Sequence, residues 1–453
     1  MTEPTTHTEA ANTGPATNTE AAMDHLATPP TTSATGGPSA LVNDPALMAD
    51  PFPRYARWHE AGPVHRTTTP DGHAVWLVTR YDDIRSALSD PRLSLSKTNA
   101  RPGGYKGFAL PPALDANLLN LDPPNHTRLR KLVSQAFTRR RVEALRPAIQ
   151  QHADTLIGQI LEARAASGAE TGYTDLISSY AVPLPLAVIG DLFAVPREHL
   201  HDFRDWTSVL LAPEPGQAAN AKQAVGNMVR FLVQLITVRR TDPGDDLLSA
   251  MISARDDHDR LNEDELISLA FLILWAGYEN SVHLIGNSIL ALLQHPEQAQ
   301  LLIQQALADQ PDQPDQQGLP DRSVNELLRF ADPNQYAIRR FPTEDITING
   351  TLIPAGDTVL LVLASANRDP AHYVNPDTLD LARSSNPHLS FGAGLHHCLG
   401  APLARLETDI AIGTLLRGLP DLALAVPTGD LTWRPSFRSR GLHQLPVTFT
   451  PLF

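Results

Sequence analysis

The chain contains 453 residues and a single cysteine, Cys398. The cysteine lies in a glycine-rich stretch that reads Phe391-Gly392-Ala393-Gly394-Leu395-His396-His397-Cys398-Leu399-Gly400. Glycines allow turns that other residues avoid and a close approach to a large planar group. A thiolate just before a helix is stabilised by the helix dipole and by free N–H groups, and it is both a nucleophile and a metal ligand. The alternatives are a buried structural cysteine and a tight connection before a helix.

The spacing Phe-x-x-Gly-x-x-x-Cys-x-Gly closely resembles the heme-binding signature of the cytochrome P450 family, and the resemblance extends over about residues 44–453. It implies that Cys398 is the axial ligand of a heme b iron, with Phe391, Gly392 and Gly400 close to the heme. A thiolate ligand donates electron density that favours cleavage of the O–O bond. We therefore expect residues 41–453 to form one heme-thiolate oxygenase domain, mainly α with a smaller β portion.

A second motif is Glu326-Leu327-Leu328-Arg329, in which Glu326 and Arg329 are three residues apart and share a helix face. Such pairs are common on solvated helices. The resemblance implies a different role here, in which the pair meets Arg383 and forms a structural brace for the cysteine loop, residues 391–400.

His126 and Arg130 lie four residues apart after Asp122-Pro123-Pro124, so both point to the same side of a predicted helix. Two donor groups on one face suit a carboxylate, and the alternative is a basic surface helix. The resemblance implies that they bind the heme propionates together with Arg340 and His396. We name these four residues the propionate clamp.

A long apolar helix pattern changes character at Ala276-Gly277, where small residues are followed by Glu279, Asn280 and Ser281. Small residues allow a flat ligand to approach, and polar groups in a buried stretch need partners. The alternative is the solvated face of an amphipathic helix. The stretch resembles the oxygen-binding helix of the family, so that Ala276 and Gly277 lie against heme while Glu279, Asn280 and Ser281 take catalytic positions.

Asn280 stands where the family usually has threonine, whose hydroxyl orients the water that delivers protons for O–O cleavage. An asparagine amide donates a hydrogen bond but is a poor proton relay. Three alternatives remain open at this point. Ser281 or ordered water replaces the hydroxyl, a substrate hydroxyl completes the relay, or the enzyme favours one-electron chemistry such as oxidative coupling.

The resemblance places a substrate pocket above the heme, lined by the loop 98–118, by Ala276 and Asn280, and by Asn334, Gln335, Tyr336 and Ala337. The amide of Gln335 and the hydroxyl of Tyr336 are the groups that we expect to bind a polar ligand. Similarity to bacterial members that act in secondary metabolism, including antibiotic biosynthesis, indicates a medium-sized natural product such as a macrolide, polyketide or peptide.

Periodicity predicts the elements that position these residues. Helices are expected at 81–88, 134–165, 175–193, 216–240, 263–293 and 401–416, a strand at 74–79, and strands within 345–363 around an Asn349-Gly350 turn. Residues 1–40 are rich in Thr, Ala, Pro and Asn, which predicts a disordered N-terminal arm.

Charge and hydropathy restrict the partners. The net charge of −14 disfavours binding to nucleic acid and to anionic membranes. No apolar run is long enough to span a bilayer, so we expect a cytoplasmic protein. We also expect it to be a monomer. Positive charge at Lys131, Arg139, Arg140 and Arg141 lies where the family receives an acidic ferredoxin on the proximal face. Electrons would then come from NAD(P)H through a ferredoxin and its reductase.

Three functions follow. The first is a monooxygenase that hydroxylates or epoxidises its substrate with dioxygen and two electrons. The second is an oxidase that uses the same cofactor for coupling or cyclisation and inserts no oxygen. The third is a non-catalytic heme carrier or sensor, which Glu279 in the oxygen helix disfavours.

Overall fold

The computed structural model describes residues 45–107, 112–211, 218–256, 261–308 and 318–450. Helices dominate these residues and short strands gather in a smaller part, which confirms the predicted mainly α architecture with a β portion. The predicted disordered arm, residues 1–40, lies outside the described residues, as does part of the expected pocket loop 98–118.

The α-helices are α1 Pro45–Ala49, α2 Phe52–Ala61, α3 Tyr81–Ser89, α4 Pro112–Asp115, α5 Asn125–Ala136, α6 Arg139–Ala144, α7 Arg146–Ser167, α8 Pro183–Phe193, α9 Leu200–Leu211, α10 Ala218–Thr241, α11 Leu247–Asp256, α12 Glu263–Gln294, α13 Pro296–Ala308, α14 Asp321–Phe330, α15 Leu363–Ala366 and α16 Ala401–Gly418.

The strands are β1 Val64–Thr68, β2 Ala74–Val78, β3 Leu93–Ser94, β4 Gly172–Asp175, β5 Phe341–Pro342, β6 Ile346–Ile348, β7 Thr351–Ile353, β8 Val359–Leu361, β9 Ala423–Leu424 and β10 Pro446–Phe449. In the main sheet β2 lies between β1, with which it is antiparallel, and β8, with which it is parallel. A second sheet has the order β4-β10-β9, and β3-β5 and β6-β7 form antiparallel pairs.

Helix α12 forms the centre of the molecule. It begins with a capping box in which Asn262 accepts a hydrogen bond from the Glu265 N–H and the Glu265 side chain accepts one from the Asn262 N–H. Its second half is buried almost without interruption, in one apolar cluster with α7, α8, α14 and α16. Its first half packs in a second cluster with α5, α10 and α11. A helix enclosed on all sides provides a rigid support for the polar residues at its middle.

Two helix predictions were wrong in their extent. The segment expected as a helix over 175–193 contains a π-helical turn over Ile177–Ala181, and α8 begins only at Pro183. The segment expected as a single helix over 134–165 is divided among α5, α6 and α7. The Thr138 side chain accepts from the Arg141 N–H and so caps a new helix, and Pro147 lies in the first turn of α7. The predicted Asn349-Gly350 turn is confirmed, since both residues have positive φ between β6 and β7.

Helices that are both long and apolar enough to cross a membrane were sought among the described residues, and none was found.

Candidate active site

The cysteine loop ends where α16 begins. The Cys398 N–H donates to the Phe391 carbonyl at 2.9 Å, which closes the loop on itself. The Cys398 side chain is accessible from one side and enclosed by protein on the others. This enclosure raises the pKa of the thiol, and the backbone N–H groups of Gly400 and Ala401 and the charge of Arg130 oppose that rise. The same N–H groups would stabilise a thiolate that coordinates a metal.

Two glycines of the loop are required by its geometry. Gly392 and Gly394 have φ of 66° and 70°, in the left-handed region. A Cβ at Gly394 would lie 2.9 Å from both the Leu88 carbonyl oxygen and the Ser89 hydroxyl of α3. Gly400 has an ordinary φ of −80°, so its small size, not its conformation, is what it contributes beside Cys398.

The brace residues come together as expected. Arg329 donates to both carboxylate oxygens of Glu326, at 2.8 and 2.7 Å, and neither side chain is exposed. Arg383 lies 3.3 Å from the same carboxylate. Arg329 also donates to the carbonyls of Asn367 and Pro376. A buried bidentate pair with its remaining donors satisfied is a rigid unit.

Side chains just before the cysteine loop connect it to this unit. Asn386 donates to Glu326 at 2.8 Å, and the Ser390 hydroxyl donates to the Leu328 carbonyl at 2.9 Å. The Leu389 N–H donates to the side chain of Asn367. The brace therefore holds the segment that leads into Phe391, and no atom of the brace needs to touch a ligand.

The four clamp residues also lie near one another. The rings of His126 and His396 are 4.1 Å apart, and Arg130 donates to the His397 carbonyl at 2.7 Å. Both ring nitrogens of His126 and Nε of Arg340 are buried and have no hydrogen-bond partner among the described residues. Buried donors without partners are rare in folded proteins and indicate that a ligand satisfies them.

Electrostatics indicate the charge of that ligand. Burial is the largest cause that lowers the pKa of Arg340 to about 10 and that of His396 to about 3. Burial and the neighbouring Arg130 also lower the pKa of His126. The nearby carboxylate of Asp122 already accepts from Ser94 and from the Leu95 N–H. The clamp thus has unmet donors and excess positive charge, which fits the two carboxylates of a heme next to the Cys398 sulfur.

The middle of α12 places Asn280 on a turn with Ala276. The Asn280 amide nitrogen donates to the Ala276 carbonyl at 3.1 Å, within the helix. Gly277 lies against Ile189 of α8, with room for no more than a tightly packed methyl group, since a Cβ there would lie 3.1 Å from the Ile189 side chain. All three α12 residues are partly accessible, in contrast to the buried residues that follow them.

The other two polar residues of this turn have partners that the sequence did not indicate. Glu279 lies 3.3 Å from Nε2 of His283, one turn further along α12. The Ser281 hydroxyl donates to the buried carboxyl group of Glu407 on α16 at 2.5 Å. Ser281 therefore faces the neighbouring helix, and a relay through its hydroxyl would have to include Glu407.

The expected pocket segment is placed differently from the expectation. The Gln335 side chain is buried and accepts a hydrogen bond from the Tyr55 hydroxyl, and Tyr336 packs against Phe437. Asn334 forms a β-bridge with Ser439, and Ala337 donates its N–H to the Leu361 carbonyl. The hydrogen bond to Tyr55 turns the polar group of Gln335 toward the protein instead of an open cavity. The next residue, Ile338, is 37% exposed although Arg339 and Arg340 after it are buried.

Three residues at this site escaped the sequence reasoning: His283, Glu407 and Ile338. The four-residue spacing between Glu279 and His283 was a readable signal, because such residues share a helix face. Glu407 lies 126 positions from Ser281, and no local pattern indicates a contact of that kind.

Comparison with known proteins agrees with this geometry. Residues 185–419 match the family described as Cytochrome P450. The chain is similar to the cytochrome P450 monooxygenase PikC of Streptomyces venezuelae, with 44% identity over 88% of this chain and 91% of the relative. It is 40% identical to the 6-deoxyerythronolide B hydroxylase of Saccharopolyspora erythraea, over 90% of this chain and 99% of the relative. Its fold matches the tirandamycin C-bound P450 monooxygenase TamI with a TM-score of 0.77 at 41% identity, over 89% of this chain and 98% of that structure.

These relatives span almost the same length as the described domain, and they are named as monooxygenases and a hydroxylase, which leaves the carrier hypothesis without support. Both the expected fold and the expected enzyme class are thereby confirmed. The chain therefore belongs to the cytochrome P450 family and is an oxidoreductase of the monooxygenase class.

Proposed function

We propose that this monooxygenase hydroxylates or epoxidises a polyketide-type natural-product intermediate with electrons from NAD(P)H, passed through a ferredoxin reductase and a ferredoxin. The proposal depends chiefly on one observation, the unsatisfied buried atoms of His126 and Arg340 near the Cys398 loop, which support a site for the heme carboxylates. The polyketide class is supported by the similarity to TamI with tirandamycin C and to 6-deoxyerythronolide B hydroxylase.

In this proposal Cys398 would hold the iron of a heme, and His126, Arg130, Arg340 and His396 would hold its carboxylates. Bound heme supplies the activation of dioxygen and the oxidising power for attack on a C–H or C=C bond. The overall hydroxylation balances as RH + O₂ + 2e⁻ + 2H⁺ → ROH + H₂O. The protein must therefore deliver two protons and two electrons and hold the substrate.

The residues of α12 limit how the protons arrive. The Asn280 amide donates to Ala276, and the Ser281 hydroxyl donates to Glu407. Glu279 is the remaining acid of this turn, and it is partly accessible. We therefore favour a relay from Glu279 through water to a hydroxyl of the substrate or a second water, with the Oδ1 atom of Asn280 as an acceptor that orients the chain.

Ile338 is the residue of the 334–340 segment that we assign to the substrate pocket, together with Ala276 and Asn280. The supporting observation is that Ile338 is exposed although the two residues after it, Arg339 and Arg340, are buried. An apolar wall with an amide acceptor suits a large, mostly apolar ligand that carries hydroxyl groups.

The electron donor would bind the basic surface formed by Lys131, Arg139, Arg140 and Arg141, all of which are exposed. This surface follows α5, the helix whose Arg130 contacts the carbonyl just before Cys398. A positive patch beside the thiolate loop attracts an acidic partner to the side on which electrons must enter.

The test is a spectral titration of the heme-loaded protein with tirandamycin C and with 6-deoxyerythronolide B, followed by turnover under ¹⁸O₂. A ligand that displaces water from the iron shifts the Soret band, and hydroxylation places one labelled oxygen in the product. Purified protein that retains no heme, or turnover of a binding probe without label, would contradict the proposal.

The positions of Asn280 and Ser281 also favour a second candidate function, an oxidase that couples or cyclises its substrate. Such a reaction removes hydrogen from the substrate and returns dioxygen as water, so it needs no hydroxyl in the product. An unlabelled product two mass units lighter than the probe would support this candidate.

A further inference from the structure

Glu279 and His283 form a pair within the centre of α12. Their four-residue spacing puts them on one face of the helix, and Oε1 of Glu279 lies 3.3 Å from Nε2 of His283. The His283 side chain is 4% exposed, whereas that of Glu279 is 18% exposed. The histidine is thus the buried end of the pair and the carboxylate is the end that reaches open space.

The C-terminal loop, residues 434–443, holds His283 in this position. Gly441 lies so close to the imidazole that a Cβ at residue 441 would overlap the ring at Nδ1 and Cε1. Gly441 is itself fixed, because its carbonyl accepts from the Arg434 N–H at 2.9 Å. A ring packed under a backbone has little freedom to rotate, so it offers Glu279 a partner of constant position.

Other charged groups surround the pair. Arg434 and His443 approach from the loop 434–443. Burial is the largest cause that lowers the pKa of His443, followed by Arg434 and His283. On the other side Tyr278, whose pKa burial raises to about 12, is influenced by Glu279 and Arg434 and by Arg204 and Asp205 of α9.

We propose that His283 is a positioning residue that holds the Glu279 carboxylate in the orientation from which it delivers protons to dioxygen. The inference rests on the proposed function, in which Glu279 is the proton-delivering acid.

The first experiment tests the pair without turnover. The free energy of unfolding in urea is measured for the full chain with His283→Leu, Glu279→Leu and both changes. A contacting pair gives a non-additive cycle. An additive cycle would show that the two side chains do not interact and would overturn the proposal.

The second experiment measures how dioxygen is used by the heme-loaded protein with NADPH, a ferredoxin reductase and a ferredoxin. Four-electron reduction to water breaks the O–O bond and needs well-placed protons, whereas two-electron reduction releases hydrogen peroxide. We expect His283→Leu to raise the ratio of peroxide to water about threefold, in line with the loss of one hydrogen bond. Glu279→Gln removes the acid itself and should raise the ratio further, and adding His283→Leu to that variant should change the ratio no more.

Two further variants separate positioning from general damage. His295→Leu removes another half-buried histidine at the end of the same helix, where it contacts the Ala291 carbonyl, and should leave the ratio unchanged. His283→Gln keeps a neutral donor of similar reach. It should restore the ratio of peroxide to water to the value of the parent protein, which His283→Leu should not do.

The outcomes are distinguishable. A His283→Leu protein with full heme content and an unchanged ratio would overturn the positioning role even if the unfolding cycle is non-additive. A chain that binds no heme or consumes no NADPH would refute the proposed function and this inference with it, and the unfolding cycle would still report whether the pair exists.

Discussion

The hydroxyl of Ser281 donates a hydrogen bond of 2.5 Å to Glu407, a carboxyl group that is 3% exposed. This contact joins the centre of α12 to α16, the helix that begins three residues after Cys398. The polar residue that follows Asn280 in the sequence is thereby used to connect two helices. Proton supply at Asn280 then depends on Glu279 and on the ligand.

Glu407 should make the protein less stable as pH rises. Burial raises the pKa of Glu407 from its ordinary value of 4.5 to about 8, so the folded state binds a proton that the unfolded state releases between these values. The stabilisation that protonated Glu407 contributes is complete below about pH 4.5, and it is lost as the pH rises to about 8. Glu407→Gln should abolish that loss, about 4–5 kcal/mol at ~1.4 kcal/mol per pKa unit. Urea unfolding at both pH values measures it, with the exposed Glu162→Gln as control.

Removing one partner of the brace should be costly. Glu326→Gln leaves the buried charge of Arg329 without its carboxylate, and we expect the free energy of unfolding to fall by about 3–5 kcal/mol. The heme content of the purified protein should fall as well, because Asn386 and the segment before Phe391 lose their support. Arg383→Met, at the partly exposed edge of the brace, should cost less. Equal losses for both variants would contradict the assigned roles.

Substitutions of the adjacent residues Arg340 and Arg339 should have different effects, the first on heme retention and the second on the stability of the fold. Burial lowers the pKa of Arg340 and that of Arg339 alike to about 10, but Nε of Arg340 is buried without a partner among the described residues, so Arg340→Met should destabilise the heme-free protein little. It should release heme about tenfold faster, because a charged donor to a carboxylate is lost. Arg339 instead donates to Lys106, Leu119 and Asn120, so Arg339→Met should destabilise the fold. Transfer of heme to apomyoglobin and urea unfolding separate the two effects.

The basic surface should determine how well a ferredoxin donates electrons. Arg140→Glu reverses an exposed charge next to α5, and we expect the KM for ferredoxin to rise about threefold to tenfold at low salt, with a smaller difference at high salt. Arg230→Glu on α10 makes the same change of charge elsewhere and should have no such effect. Steady-state reduction rates at several salt concentrations give the comparison, and equal KM values for both variants would rule out this docking surface.

The sequence alone determined the family and the local motifs. The Glu326–Arg329 pair and the spacing of His126 and Arg130 are read from positions close together in the chain. The structure brings Glu326 and Arg329 into contact and places His126 beside His396, and the role of Cys398 as an iron ligand stays a prediction. The long helix over 263–293 was also readable, since an apolar pattern of that length with an N-terminal cap has few other solutions.

The tertiary structure decided which polar groups are already occupied. Ser281 and Gln335 looked available in the sequence, but Glu407 and Tyr55 bind them from segments 126 and 280 positions away. The structure likewise showed that Gly441 packs on His283 and that Ile338 is the exposed residue of its segment. Partners of this kind depend on how helices and loops pack against each other, and the local pattern of residues does not determine that packing.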